Sequence, residues 1–258
     1  MAILWHLLIA YPFVALAGVP YVLVRLLHRV RIPGGDIHRK ATQWYARAYL
    51  KICRIRFEVG GQNNLRPGTP YIFCANHASF LDPIAIIAGL SVRYGFLAQR
   101  GPYGFPFLFT RVMSGDSIAI PGRGRFTEFH AFSRATKQAV SLVVFPEGGM
   151  SADGSLGVLK EGAAQIAIHT QAPLVPVAIV GTARLCPAGS VFPRAGTLRV
   201  LVGNPIPTAG LEVRDRTRLT AQVRAELAAM LGEGSSAAES DVRCVTHESR
   251  DHKPALSH

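Results

Sequence analysis

The sequence has few cysteines and none of the spacings by which cysteines usually hold a metal ion. Its 258 residues include four cysteines, and no two of them form a C-x-x-C pair. We therefore expect neither a disulfide framework nor a structural zinc site, which is typical of a reducing cytoplasm. Cys74 lies inside an apolar run and is predicted to be a buried thiol; the others are Cys53, Cys186 and Cys244.

Signatures of several common protein classes are missing as well. The segment Gly122-Arg123-Gly124-Arg125 does not match G-x-G-x-x-G and has no following Lys-Ser/Thr, so no nucleotide loop is indicated. No G-x-S-x-G nucleophile elbow is present. The net charge is +12, but no helix-turn-helix, zinc-finger or RNA-binding signature accompanies it, and we expect no nucleic-acid partner.

Charged side chains are absent from residues 1–24, and the chain then becomes strongly basic. Residues 25–56 carry nine Lys or Arg against one acid, Asp36, and so hold +8 of the net +12. A neutral apolar block followed directly by a basic block is typical of membrane attachment. Residues 2–24 are long enough to cross about 30 Å of hydrocarbon as a helix.

This apolar segment allows more than one geometry. Pro12 and Pro20 interrupt a helix, so a bent helix lying in one leaflet is an alternative to a full span. Ala15-Leu16-Ala17 resembles a signal-peptide cleavage site, but no basic residue precedes the apolar run, which disfavours cleavage. We expect an anchor in the cell membrane by either geometry, with the basic flank and the domain that follows it on the cytoplasmic side.

Residues 37–56 follow a helical pattern with an apolar stripe and a cationic face. Such a helix suits an anionic lipid surface. The alternative is that the stripe packs on the domain and the charges are solvated. The apolar positions are Ile37, Ala41, Trp44, Tyr45, Ala48, Ile52 and Ile55, and the cationic positions are Lys40, Arg47, Lys51 and Arg54.

The remaining chain divides into a folded domain and a tail. Residues 57–231 alternate apolar strands with helical segments, which predicts one α/β domain with a mostly parallel or mixed central sheet flanked by helices. Residues 1–56 form the anchor and the basic helix that precede it. From Gly232 the chain turns to Gly, Ser, Glu and scattered His, so residues 232–258 are predicted to be disordered.

The most informative stretch is residues 76–83, which read Asn-His-Ala-Ser-Phe-Leu-Asp-Pro. It follows an apolar strand, and Asp82 and Pro83 suit the N-cap and first turn of a helix. Open α/β sheets place their chemistry at such strand ends. His77 with Asp82 in reach can act as a general base held in one tautomer. The alternative is a capping Asp beside a surface His, and Ser79 is expected to be a cap rather than a nucleophile.

A second apolar strand ends in a carboxylate and two glycines. Residues 142–149 read Leu-Val-Val-Phe-Pro-Glu-Gly-Gly, and Lys160 follows after a turn. A third apolar run, Leu174-Val175-Pro176-Val177-Ala178-Ile179, carries an internal proline. Proline in a strand predicts an edge strand or a bulge.

Residues 70–182 resemble the 1-acylglycerol-3-phosphate acyltransferase family, a branch of the glycerolipid acyltransferase superfamily. The family carries N-H-x4-D, a Lys/Pro/Gly segment ending in Arg, F-P-E-G-T-R and V-P-V, and all four have counterparts here in that order. The resemblance implies a membrane enzyme that moves a fatty acyl group from acyl-CoA or acyl carrier protein to a lysolipid hydroxyl. Its first acceptor would be 1-acyl-sn-glycerol-3-phosphate, giving phosphatidic acid, and no cofactor beyond the thioester and no metal is implied.

Site residues follow from the matched motifs. His77 is predicted to be the base and Asp82 its orienting partner. Glu147 is predicted to bind substrate, because the family ties this carboxylate to the acceptor. The Gly148-Gly149 step would let backbone N–H groups approach a ligand closely.

The cations expected to meet a phosphate stand where the chain departs from the family pattern. Gly149-Met150 replaces the family's Thr-Arg, so one cation is missing, and the second motif carries extra residues before Arg123. Arg123 is the first choice to replace the missing cation and Lys160 the second. Met150 favours, as an alternative, an acceptor without phosphate such as lyso-ornithine lipid. A catalytically silent lipid-binding protein and a thioester hydrolase are further alternatives.

Overall fold

A computed structural model of the chain describes residues 2–10, 12, 35–99, 118–120, 136, 138–190 and 192–248. In this part of the chain seven strands form one sheet in the order β1-β7-β6-β2-β5-β3-β4. The strands are β1 Ile55–Gly60, β2 Ile72–Ala75, β3 Tyr94–Gln99, β4 Ile118–Ile120, β5 Ser141–Val144, β6 Leu174–Val180 and β7 Gly196–Val202.

Six α-helical segments accompany these strands in the described residues. They are α1 Ala2–Trp5, α2 Gly35–Ile52, α3 Leu81–Gly89, α4 Gly162–Thr170, α5 Thr182–Leu185 and α6 Arg216–Glu248. A π-helical turn, His6–Ala10, continues α1, and short 3-10 turns lie at Gln62–Asn64 and Val213–Asp215. The alternation of strands and helices confirms the predicted α/β domain.

The sheet is parallel except at one pair of neighbours. β2 pairs in parallel with β5 and β6, β3 pairs in parallel with β4 and β5, and β1 pairs in parallel with β7. Only β6 and β7 run antiparallel among the described pairs. The carboxyl ends of β2, β5 and β6 therefore share one border of the sheet, the carboxyl edge. β1 and β7 begin at that same edge, because they run the opposite way.

The core lies on both faces of the sheet, because successive strand residues point to opposite sides. On one face Phe73 and Ala75 of β2 pack with α2 and α3. On the other face Ile72 and Cys74 pack with α4 and α6. Strands covered on both faces read as continuous apolar runs, which explains the pattern seen in the sequence.

Helix α2 ends earlier than the predicted segment 37–56. Arg54 has φ 58°, and its N–H donates to the Lys51 carbonyl at 2.9 Å, which closes the helix. β1 then starts at Ile55, so a domain boundary at residue 56 cuts through a strand. The first strand was therefore missed by the sequence analysis.

The apolar stripe of α2 packs largely on the domain. Ala46, Tyr49 and Leu50 are buried in the core, and this stripe is rotated from the predicted one. Trp44 remains 66% exposed. The alternative in which the helix packs on the domain thus describes most of its apolar residues. Trp44 and Lys51 are exposed and mark the side of the helix that faces outward.

The start of the chain lies against the carboxyl edge. The Trp5 indole N–H donates to the Ile52 carbonyl at 2.9 Å, and the Arg54 guanidinium lies 4.4 Å from the Trp5 ring centroid. Leu4, Leu7 and Leu8 are exposed. Within the described residues, no helix combines the length and the apolar character that a membrane span requires.

Two other sequence predictions can be compared with the structure. For β6 an edge strand or a bulge was predicted: it is not an edge strand, since β7 and β2 flank it, but its bridge from Leu174 to Ile206 is one residue out of register with its ladder to β7, as at a bulge. The ladder with β7 begins at Val177, and the Pro176 carbonyl accepts from Gly203 N–H at 2.9 Å just before it, while the proline has no N–H to return a bond to Gly203. Helix α6 continues to Glu248, which differs from a disordered chain beginning at Gly232. Alanine and glutamate in this stretch favour helix.

Helical patterns within the domain predict helices at residues 84–90, 105–113, 127–140 and 162–170. Helix 162–170 has the bounds given by the sequence, and α3 begins three residues earlier than the predicted Ile84. The helices predicted for 105–113 and for most of 127–140 lie outside the described residues.

We expect the described cysteines to resist alkylation in the folded protein. Burial raises the pKa of Cys74 to about 12 and that of Cys53 to about 11, and burial also raises the pKa of Cys186. Because the thiolate is the reactive form, Cys74 should react with iodoacetamide about a thousandfold slower at pH 8 than in the unfolded chain. Peptide mass spectrometry with and without guanidinium checks this, and rapid native labelling of Cys74 would contradict it.

Candidate active site

Two loops with carboxylates meet at the carboxyl edge because β2 and β5 are parallel neighbours. Cys74 of β2 pairs with Val144 of β5, so the residues that follow these strands leave the sheet side by side. His77 comes after β2, and Glu147 comes after β5. Residues 70 positions apart in the chain are thereby brought into contact.

His77 and Asp82 form the predicted pair. The His77 Nδ1 lies 2.8 Å from Asp82 Oδ2, and their side chains are 19% and 0% exposed. With the proton on Nδ1, this nitrogen donates to the carboxylate and Nε2 keeps a lone pair. The ring can then accept a proton at Nε2 from a bound hydroxyl, which is the arrangement a general base requires.

The same carboxylate oxygen holds the loop before α3. Asp82 Oδ2 accepts from the N–H groups of Ala78 and Ser79 at 2.7 and 2.8 Å. Asp82 lies in the first turn of α3, so it is not the N-cap that the sequence predicted; Phe80 occupies that position. A carboxylate in the first helical turn is also favoured by the helix dipole.

An aromatic wall covers one face of the imidazole. The Phe145 ring stacks on His77 with centroids 4.3 Å apart and an interplanar angle of 25°. Phe96 stacks beyond Phe145 at 6.4 Å. Apolar runs at residues 94–98 and 142–145 predict strands that contain these phenylalanines but do not indicate their contact with the site, although Phe145 stands in the matched third motif.

Ser79 is a buried structural group, as expected. Its hydroxyl donates to the Cys186 carbonyl at 2.6 Å and accepts from Leu81 N–H at 3.2 Å. Asn76, which the sequence analysis left without a role, is equally engaged. Its side chain exchanges two hydrogen bonds with the Ile179 backbone, at 2.7 and 3.0 Å, and so links the His77 loop to β6.

Glu147 contacts backbone on both sides. Its Oε1 accepts from His77 N–H at 2.9 Å, and its Oε2 accepts from Gly157 N–H at 3.0 Å. The loop is tied to His77 a second time, because Ser151 N–H donates to the His77 carbonyl at 2.8 Å. Gly157 was not singled out by the sequence analysis, and the sequence carries no local signal for it.

The two glycines after Glu147 differ in what the fold requires of them. Gly148 has φ 75°, and a Cβ there would overlap the Lys160 side chain, whose Cε lies 2.8 Å from that position. A Cβ on Gly149 would meet nothing within 4 Å. The Gly148 N–H donates to the Phe145 carbonyl at 3.2 Å.

Of the two cations predicted to meet a phosphate, the structure describes Lys160. Lys160 is exposed, and its side chain reaches over Gly148 at the loop that flanks His77. Met150, in the same loop, is 48% exposed. Arg123 lies outside the described residues.

Comparisons with known proteins identify the family of this chain. Residues 56–180 match the family model described as Acyltransferase. The chloroplastic 1-acyl-sn-glycerol-3-phosphate acyltransferase BAT2 of Brassica napus is 30% identical over 199 residues, which cover 74% of this chain and 55% of the relative. The human 1-acyl-sn-glycerol-3-phosphate acyltransferase beta is 27% identical over 183 residues, covering 67% and 63%. The chain thus spans about half to two thirds of these relatives' length.

A solved structure has the same fold. The crystal structure of the 1-acyl-sn-glycerophosphate acyltransferase PlsC from Thermotoga maritima superposes with a TM-score of 0.72 at 21% identity, covering 90% of this chain and 96% of that one. The family match and the relatives support one assignment: this chain belongs to the acyltransferase family that includes the 1-acyl-sn-glycerol-3-phosphate acyltransferases.

Proposed function

We propose that the protein is a membrane-associated O-acyltransferase that moves a fatty acyl group from an acyl thioester to a lysolipid hydroxyl. The thioester would be acyl-CoA or acyl carrier protein. The first acceptor to consider is 1-acyl-sn-glycerol-3-phosphate, the substrate in the names of the relatives, which would give phosphatidic acid. The observation that carries the proposal is the 2.8 Å contact of His77 Nδ1 with the buried Asp82 carboxylate at the carboxyl edge.

The reaction would proceed by direct attack of the lysolipid hydroxyl. His77 Nε2 takes the hydroxyl proton while the oxygen forms a bond to the thioester carbonyl carbon. The carbon–sulfur bond then breaks, and the same nitrogen returns the proton to the leaving thiolate. The role of Ser79 in fixing the loop disfavours an acyl-enzyme on that residue, since its hydroxyl already donates to the Cys186 carbonyl.

Replacing the base should abolish transfer. We expect folded His77→Ala protein to lose acyl transfer, and Asp82→Asn to lose about 10²–10⁴-fold in kcat, because the imidazole is then held less well in the required tautomer. Radiolabelled acyl-CoA with a panel of lysolipids gives the rates. His169→Ala, which removes an exposed histidine on α4, is the matched control and should stay active.

A specific outcome would refute this mechanism. Near-normal turnover by folded His77→Ala protein would show that another group accepts the proton. Circular dichroism and thermal melting establish that each variant is folded, which matters for Asp82→Asn because that carboxylate also binds two backbone N–H groups.

The acceptor head group depends on the loop beside His77. A phosphate would meet Lys160, whose side chain lies over Gly148, and Arg123, the first choice from the sequence. Met150 occupies the position of the family's arginine and is exposed, so it offers an apolar contact instead of a charge. That substitution supports, as a second candidate, a lysolipid without phosphate such as lyso-ornithine lipid.

Competition between acceptors separates these candidates. If phosphate is bound, Lys160→Ala or Arg123→Ala should raise KM for lysophosphatidate about tenfold to a hundredfold, the effect of losing a hydrogen bond to a charged group, and leave the donor KM unchanged. Met150→Arg should improve phosphate-bearing acceptors.

The control for these variants removes a cation at the opposite border of the sheet. Arg66 is exposed in the segment that leads into β2, so it lies at the start of the strand that His77 follows. Arg66→Ala should therefore leave both KM values unchanged. The phosphate assignment would be contradicted if the wild type prefers an acceptor without phosphate and if the Lys160 and Arg123 variants keep that preference.

Membrane docking is proposed through the start of the chain and the basic residues after it. Leu4, Leu7 and Leu8 are exposed on a segment that lies at the carboxyl edge. His77 lies at the same edge. An apolar surface on that edge would bring the base toward the lipid that carries the acceptor. The basic block, residues 25–56, would face the anionic cytoplasmic leaflet of the cell membrane.

Attachment should therefore have an apolar and an electrostatic part. Deleting residues 1–28 should weaken sedimentation with anionic vesicles, and salt near 1 M should then release the remaining protein, because the Debye length falls to about 3 Å. The full chain should stay bound in the same salt. A truncated, folded form that remains on vesicles in strong salt would contradict the electrostatic part.

A further inference from the structure

The Glu147 carboxylate contacts the backbone of two segments, the loop after β2 and the later part of the loop after β5. One oxygen accepts from His77 N–H at 2.9 Å, and the other accepts from Gly157 N–H at 3.0 Å. Both contacts are partly buried, where hydrogen bonds to a carboxylate are strong. Each oxygen thus has a backbone donor before any substrate arrives.

His77 is consequently held at three points. Its ring nitrogen contacts Asp82, its N–H donates to Glu147, and its carbonyl accepts from Ser151 N–H at 2.8 Å. Two of these three contacts come from the loop that follows β5. That loop also carries Gly148, Gly149 and Met150, the side of the site proposed to face the acceptor.

Gly157 leaves room for the second Glu147 contact. A Cβ at this position would lie 2.9 Å from Glu147 Oε2, closer than real Cβ contacts allow. A side chain there would make the carboxylate shift relative to the Gly157 N–H. The geometry of this contact is therefore sensitive to the residue ten positions after the glutamate.

We infer that Glu147 is a positioning residue, which fixes the distance between the base His77 and the acceptor-facing loop, rather than a group that binds the acceptor. Because the role concerns the rate of acyl transfer, it rests on the proposed function. It also explains why a carboxylate is needed. Two N–H donors face the two oxygens, and the glutamine amide would point one of its own donors at one of them.

Kinetic constants separate positioning from acceptor binding. In Glu147→Ala we expect kcat to fall about tenfold to a hundredfold with acceptor KM unchanged, because a misplaced base slows the chemical step. The kcat of Glu147→Gln should fall less, since one oxygen acceptor remains. Gly157→Ala should lower kcat although the carboxylate charge is retained. Gly162→Ala is the matched control, as a Cβ there meets nothing within 4 Å, and it should keep wild-type kcat.

Hydrogen exchange tests the link between Glu147 and the His77 backbone without any turnover. Backbone amide exchange at His77, followed by mass spectrometry of the peptide that contains it, should be faster in Glu147→Ala and in Gly157→Ala than in wild type or Gly162→Ala. Acceleration at His77 caused by a change at Gly157 would show that the link runs through the Glu147 side chain.

Defined outcomes would overturn this role. A raised acceptor KM with unchanged kcat in Glu147→Ala would make the glutamate an acceptor ligand. Unchanged exchange at His77 in both variants would remove the proposed link. Absence of acyl transfer to every lysolipid by wild-type protein would reject the proposed function instead, and the exchange result would still decide whether Glu147 positions His77.

Discussion

The buried carboxylate of Asp82 is the group on which the site depends. A carboxylate with no exposed surface is costly to desolvate, and it is stable here because one oxygen accepts from two backbone N–H groups and from the His77 ring. The three donors belong to consecutive residues of the loop between β2 and α3. Fixing that loop also fixes the direction in which the imidazole points, so the geometry of the proposed base is set by the fold and not by the substrate.

The sheet then determines what lies around this base. Parallel pairing of β2 with β5 sets the Glu147 loop beside the His77 loop. The reversal of direction at β7 has a different effect, because it makes β1 start where β2 ends. The end of α2 and the apolar start of the chain are thereby carried to the carboxyl edge. Chemistry and the proposed lipid contact share an edge as a result of strand direction.

Sequence patterns predicted what is encoded locally. Helix α4 and the strand before His77 follow from apolar runs bounded by turn residues, and the His77–Asp82 pair follows from a five-residue spacing. Glu147 was assigned to substrate from the family resemblance, and no local pattern indicates its contacts with the backbone of His77, 70 positions away, and of Gly157. β1 was missed because the left-handed Arg54 that ends α2 leaves no clear mark in the sequence.

Stacking of Phe145 on His77 has a consequence for the order of events in catalysis. One face of the imidazole is closed by the phenyl ring, and Nδ1 is committed to Asp82, so the ring offers a single reactive nitrogen. In the proposed direct attack, the hydroxyl and the thioester sulfur both reach that nitrogen during one turnover. Because the hydroxyl attacks the thioester itself and no acyl-enzyme forms, the two substrates would occupy the site together, and initial-rate plots should intersect, as in sequential kinetics, rather than run parallel as in a ping-pong scheme.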